Sequence, residues 1–468
     1  MNAILRTICL VLFVIFGTAS SWASSSDDAK EEARASRSNI TVDFEGSAED
    51  RKELAKFLNL VFVLCKEIYP KLTFKDCMNN VKEGVGNSFD PHTGFLNAEK
   101  TRELLADMRG RFGGIGIEIF KPATGTSYVD IVNVLSDTPA KKAGLASGDV
   151  IVRIGTVPTT SLKGTQKAVE LIRGDPGTTV ELTIERKGVP QPIVVTLVRE
   201  EIKIVQIEAK LLRSNGKTYA LLTTRMFNEY FAKEMKQKYL ELKWESGDKL
   251  SGLIISLENN PGGRLDEVYN AVDLFMDAET FLLQRTNEGT VRYEPGLLQR
   301  MKTPGDISRG LPILVVVNGG SASASEIFAG ALKHFGRAVI AGTETTFGKC
   351  SVQSLMSLPG EEMAKATTAE CLIGAMNDWV PIQCVGVTPD ILFAYPGIKS
   401  RKGPKECELS GRLSSGGPMK DAPKHPPIKE VKPGLHRAAE EMLETFKLHR
   451  LPKLKEEETR IKLLEKLE

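Results

Sequence analysis

The sequence predicts a multidomain α/β protein, and three observations carry that expectation. Leu253-Ile254-Ile255 and Leu314-Val315-Val316-Val317 are unbroken apolar runs, as strands buried on both faces of a sheet require. Each run is followed by a loop rich in Gly, Asn or Ser and then by a helical pattern, Leu265 to Met276 after the first and Ser325 to Phe335 after the second. Strand, loop and helix in alternation build a layered sheet with its working loops at the strand carboxyl ends. Thirdly, the chain has 468 residues, room for about three domains.

Composition narrows the classes. The 62 Lys and Arg balance 60 Asp and Glu, which speaks against a nucleic-acid partner needing a basic excess. Five His and seven scattered Cys without a CxxC pair give no structural metal site, and nothing in the chain calls for a cofactor.

Taken in order, residues 1–23 have the form of an export signal. Arg6 supplies a positive start, Ile8 to Phe16 are apolar, and Ser21-Trp22-Ala23 fits a small-x-small cleavage pattern. The run is shorter than the about 20 residues a membrane span needs, so the protein is expected in the periplasm or cell envelope. Export permits disulfides among Cys65, Cys77, Cys350, Cys371, Cys384 and Cys407, but spacing does not give their pairing, and free buried thiols remain open. Residues 24–47 read as a polar flexible leader, containing a low-specificity glycosylation sequon at Asn39-Ile40-Thr41.

Residues 48–110 form a helical region. Leu54, Phe57, Leu58, Val61, Phe62, Cys65 and Ile68 recur at helical spacing, and Pro70 ends the pattern. The stripe is broad enough for a second subunit, though burial in the domain's own core is favoured. In 111–200 the period changes to two, as in Val180 to Ile184. Turns punctuate it at Gly148-Asp149 and Asp175-Pro176-Gly177, and one helix lies at Thr165 to Ile172. Residues 201–396 are the α/β region. Residues 397–468 read as a Gly/Pro/Lys-rich linker and a charged, solvated helical tail.

Three loops of the α/β region hold candidate chemistry. Asn259-Asn260-Pro261-Gly262-Gly263 follows a buried strand, and its glycines let backbone N–H groups approach a ligand. The stretch Asn318 to Glu326, containing Ser321-Ala322-Ser323-Ala324-Ser325, opens a helix whose N-terminus favours negative charge. It could place a nucleophilic hydroxyl there, or only cap the helix. Thr346 to Gln353 contains Lys349. Of the histidines, only His92 and His334 precede the tail, and His334 lies eleven residues along Ser323's own helix. A Ser-His-Asp triad is therefore poorly supplied.

The series Gly114-Ile115-Gly116-Ile117, Pro139-Ala140, Ala143-Gly144-Leu145, Gly148-Asp149, then Asn259 to Gly263, Ser321 to Glu326 and Phe347-Gly348-Lys349 with Val352-Gln353 resembles the carboxyl-terminal processing peptidases. Asp90-Pro91-His92-Thr93-Gly94-Phe95-Leu96 and Gly386-Val387-Thr388-Pro389-Asp390 resemble two further family segments, and the likeness spans roughly 50–396 in order. The resemblance implies a crotonase-like α/β protease core with an inserted β-rich PDZ domain. It assigns Ser323 as nucleophile, Lys349 as general base, Gln353 as the residue positioning it, and backbone N–H groups of Gly262 and Ala324 as oxyanion donors. It also implies that Gly114, Ile115, Gly116 and Ile117 bind the terminal carboxylate of protein substrates with nonpolar tails. A homo-oligomer through the N-terminal helices and an adaptor protein are possible partners. Where the family often has Asp-Leu-Arg this chain has Ser256-Leu257-Glu258, with Cys350 for Gly and His334 for Asp; one extra residue separates Ser323 from Lys349. These departures leave open a silent PDZ scaffold or, without the peptide groove, a small-ligand enzyme of the same layout. A disulfide at Cys350 is expected to be able to displace Lys349.

Overall fold

The computed structural model describes residues 47–68, 73–121, 127–276, 281–286, 291–293, 305–375, 378–398, 404–409 and 433–465. The export segment and the leader up to residue 46 lie outside these. Two compact units divide the chain between Ser88 and Phe89.

In the first unit, α1 (Ala48–Val63) begins at a reciprocal cap. Ser47 Oγ accepts the Asp50 N–H at 3.1 Å, and the Asp50 carboxylate accepts the Ser47 N–H at 2.9 Å. A π turn at Leu64–Ile68 precedes α2 (Phe74–Asn87), and Cys65 is disulfide-bonded to Cys77. Core burial, the favoured reading of the helical stripe over packing against a second subunit, is corrected for most of its residues. Among the described residues of this unit, only Val61, Cys65 and Cys77, with Met78 and Val81 against them, form a cluster, whereas Leu58, Leu60, Phe62 and Ile68 are each more than half exposed. Two short helices cover only one side of so broad a stripe.

The second unit opens with β1 (Gly94–Leu96), α3 (Ala98–Arg109) and β2 (Arg111–Gly114). A β-rich module follows: β3 (Ile117–Phe120), β4 (Val129–Val134), α4 (Pro139–Lys142), β5 (Val150–Ile154), β6 (Val157–Pro158), α5 (Gly164–Ile172), β7 (Thr179–Glu185) and β8 (Ile193–Val198). Its sheet runs β3-β4-β5-β7-β8 with β6 on β5, so β3 is an edge strand. Alternate residues of β7, namely Val180, Leu182 and Ile184, enter the module's core. Asp149, read in the sequence as part of a turn and of the family series, is buried and accepts Arg186 Nε at 2.6 Å, tying a loop to that sheet. Strand β9 (Glu200–Lys203) then pairs antiparallel with β2 and closes the excursion.

The remaining elements are β10 (Ile207–Ser214), β11 (Lys217–Thr224), α6 (Phe231–Glu245), β12 (Gly252–Ser256), α7 (Leu265–Asp273), β13 (Leu282–Thr286), β14 (Val291–Tyr293), β15 (Ile313–Val317), α8 (Ala324–His334), β16 (Val339–Gly342), β17 (Ser351–Leu358), β18 (Glu362–Ala375), β19 (Asp378–Pro381), β20 (Ile391–Leu392) and α9 (Pro433–Glu465). One sheet runs β10-β11-β12-β15-β16-β20, parallel from β11 onward. Residues alternate across it. Leu253, Ile255, Val315 and Val317 meet α6, α7 and α8, while Ile254, Leu314 and Val316 face the opposite side. A second sheet gathers β1, β13, β17 and β19 around the long β18, with β14 beyond β13.

That opposite side is covered by α9, which corrects the expectation of a solvated tail. Ala439, Met442, Leu443 and Phe446 lie at helical spacing and are buried against Ile254, Leu314, Val316 and Val339. The four apolar positions are hidden among charges in sequence, but they suffice to seal a sheet that must be dry on both faces.

Candidate active site

The parallel strands deliver the three loops to one place. After β12, the loop Leu257–Gly263 is fastened to the loop after β15 by Asn259 N–H to Asn318 Oδ1 at 2.9 Å and Asn318 Nδ2 to Asn259 Oδ1 at 3.0 Å. Ser321 Oγ donates to the Leu257 carbonyl at 2.7 Å, and Ser325 Oγ donates to the Asn260 carbonyl at 2.9 Å. The outer two serines of the series are thus buried and spent on structure. The middle one differs. Ser323 is half-buried at the start of α8 and has φ 55°. Left-handed backbone at a serine costs on the order of 1–3 kcal/mol and persists only where the surroundings impose it.

Gly262 explains part of that imposition. A Cβ there would stand 2.7 Å from the Ala324 nitrogen and 2.8 Å from the Ser323 Cβ, so only glycine fits against the hydroxyl-bearing turn. Its N–H, however, donates to Asn260 Oδ1 at 3.0 Å. As an oxyanion donor it must therefore exchange that partner, a condition invisible in sequence because the turn is closed by a side chain two residues back. Ala324 is buried as the first residue of α8.

Glu326 joins the nucleophile loop to the lysine loop, and sequence reasoning gave it no role. Its Oε2 accepts the Ser323 N–H and the Lys349 N–H, each at 2.8 Å; its Oε1 accepts the Gly348 N–H at 2.7 Å and the Thr346 hydroxyl. Burial pushes its carboxyl up to about 7, against the pull of those four donors. The signal was available: a Glu three residues after a helix-starting Ser is a capping-box pattern.

Lys349 is half-buried, and its Nζ donates to Gln353 Oε1 at 2.8 Å and to the Ser351 carbonyl at 3.3 Å. Burial brings the ammonium down to about 8, with Lys365 lowering it further and Glu406, Glu326 and Asp90 opposing. Gln353 is fixed in turn by donating to Ser351 Oγ at 2.8 Å and to Thr367 Oγ1 on β18 at 3.4 Å. Thr367 Oγ1 donates to Asp90 at 3.0 Å, so the segment before β1 buttresses the strands that carry the amine.

The sequence departures resolve individually. Cys350 is disulfide-bonded to Cys371, and with that bond formed Lys349 Nζ donates to Gln353 Oε1. The bond links β18 to the residue just before β17. The Ser256 carbonyl accepts Thr224 Oγ1, and Glu258 turns away to Tyr395 and Arg450. His334 ends α8, eleven residues beyond the serine, stacked edge-on against Phe335.

In the β-rich module, Gly114 ends β2, Ile115 is buried, and Ile117 opens β3. Gly116 has φ 80°, and a Cβ there would lie 2.3 Å from the Thr138 side chain. The carbonyls of Ile115 and Gly116 accept the Ala140 and Leu135 N–H groups. Edge strand β3 lies beside α5, joined by the Lys121 N–H to Thr165 Oγ1 at 2.9 Å.

Comparison with known proteins follows this division. The family description Peptidase family S41 matches residues 218–393, and that of the PDZ domain matches residues 113–197. A carboxy-terminal-processing protease of Bartonella bacilliformis is 33% identical over 345 residues, covering 72% of this chain and 75% of that one. A carboxyl-terminal-processing protease of Picosynechococcus is 29% identical over 321 residues, covering 69% and 74%. Among solved structures, a photosystem II D1 C-terminal processing protease aligns with TM-score 0.40 and 22% identity, covering 84% of this chain and 93% of that one.

Proposed function

The chain belongs to peptidase family S41 and is a serine-type peptidase with a PDZ domain, and from that premise we propose an exported endopeptidase in which Ser323 and Lys349 act as a dyad. The observation that carries it is Glu326, one carboxylate holding the backbone amides of the serine and the lysine together. Neutral Lys349 takes the Ser323 proton as Oγ bonds to the scissile carbonyl carbon. The oxyanion is received by the Ala324 N–H and by the Gly262 N–H once Asn260 is released, each donor lowering the barrier by about 3 kcal/mol. As the tetrahedral intermediate collapses, the lysine returns its proton to the departing amine, leaving an ester that water hydrolyses.

The Gly114–Ile117 turn, with its carbonyls engaged inside the module, presents N–H groups to a terminal carboxylate. The open edge of β3 pairs with the peptide tail beside α5. Substrates are proteins with nonpolar carboxyl termini, cut upstream of the captured end. Three disulfides support an oxidising compartment, periplasm or envelope. The exposed stripe on α1 supports association with a second copy, and an adaptor protein could use the same surface. Digestion of an unfolded protein with an apolar carboxyl terminus tests the dyad: Ser323→Ala and Lys349→Ala are each expected to lower kcat by at least about 10³-fold. Unchanged turnover in both overturns it.

A further inference from the structure

Glu406 lies 57 positions after the base, beyond the elements that form the catalytic loops, yet it is 1% exposed. Its carboxylate accepts His92 Nε2 at 2.8 and 2.9 Å and Gln383 Nε2 at 3.0 Å. Gln383 Oε1 in turn accepts the N–H of Cys350, the residue next to Lys349, at 2.7 Å. The short turn bearing Glu406 grips the lysine loop directly as well. The Glu406 N–H donates to the Phe347 carbonyl at 3.2 Å, and Lys405 Nζ donates to the Thr345 carbonyl at 2.7 Å while facing Glu344 at 3.2 Å. Cys407 is disulfide-bonded to Cys384, whose N–H donates to the Gly348 carbonyl at 2.7 Å.

The lysine loop is therefore held from two directions, by Glu326 on the nucleophile's helix and by the 404–409 turn on the other side. A buried carboxylate is costly to maintain unless its partners are well placed. Here each partner leads to the base: His92 sits two residues from Asp90, which supports Gln353 through Thr367, and Gln383 fixes the backbone at Cys350. We propose that Glu406 is a positioning residue for the general base, delivered to the lysine loop by the Cys384–Cys407 crosslink. This rests on the Ser323–Lys349 dyad.

The charges facing Lys349 are Glu406, Glu326 and Asp90, which favour the ammonium, and Lys365, which disfavours it. The titratable groups facing Glu406 are His92 and Lys349; although burial opposes ionisation, the hydrogen bonds from His92 and Gln383 and the neighbouring Lys349 hold its carboxyl below the ordinary range, so it is charged near neutrality. Removing that charge leaves the ammonium less favoured.

The test is the pH dependence of kcat in the full-length protein, assayed on one unfolded substrate. Glu406→Gln is expected to lower kcat with little change in KM and to move the ascending midpoint down by about 0.5–1 unit. Glu406→Asp, which keeps the charge, returns the midpoint to the wild-type position. The Cys384→Ser/Cys407→Ser pair, which keeps the carboxylate but unties it, lowers kcat at least about fivefold and gives a second readout if Glu406→Gln does not fold. An unmoved midpoint in Glu406→Gln, or wild-type kcat in the untethered protein, overturns the proposal. Failure of the dyad itself reads differently, as full activity in Ser323→Ala and Lys349→Ala.

Discussion

At the scale of single residues, the general-base role proposed for Lys349 comes at the expense of stability. An ammonium taken from 10.5 to about 8 by burial destabilises the folded chain wherever it is protonated. The unfolded state binds the extra proton between about 8 and 10.5, so stability rises with pH through that window. Lys349→Met removes the effect. It is expected to be more stable than wild type by on the order of 2 kcal/mol below pH 8, converging above 10.5, by urea denaturation at several pH values. A mutant no more stable at neutral pH would show that the amine is well solvated. With Lys349 as the proposed base, the same depression is expected to make wild-type kcat climb with pH to a plateau above about 8, read from initial rates.

At the scale of elements, α9 is where local sequence misleads. Its charges dominate the composition, and four apolar positions within two turns decide its place. Phe446 is 1% exposed against the sheet, so Phe446→Ala is expected to cost about 3–5 kcal/mol in chemical denaturation, with KM of the folded fraction unchanged. A loss below about 1 kcal/mol would mean that the helix does not seal that face. Arg450 on the same helix reaches Glu258 in the loop after β12. The substitution that looked like an active-site departure is thus accounted for by an element nearly two hundred residues away.

For the whole molecule, the exposed apolar residues of the first unit bear on the proposed assembly. Leu58, Leu60 and Phe62 on α1 and Ile68 on the π turn after it stand exposed, in the unit that the Cys65–Cys77 disulfide staples. The proposed association with a second copy would cover these residues. Sedimentation is expected to show a concentration-dependent oligomer that Leu58→Glu/Phe62→Glu converts to monomer. A monomeric wild type at all concentrations would exclude association through this surface.

Much of the layout could be read locally. Alternation in β7, unbroken runs in β12 and β15, and glycine where φ is positive each follow from the residue and its neighbours. The loops carrying Ser323, Lys349 and Gln353 were placed by the same logic, because a strand, a small-residue turn and a helix start are contiguous in the chain. What the chain order could not convey was partnership across long separations. Glu326 and Glu406 are ordinary acidic residues until folding places buried N–H groups around one and His92 and Gln383 around the other. Which cysteines pair, whether a helical stripe is covered, and whether the Gly262 amide is free depend on contacts closed by the fold. Local rules select residue types, whereas only a closed fold removes the water that gives those groups their protonation and their partners.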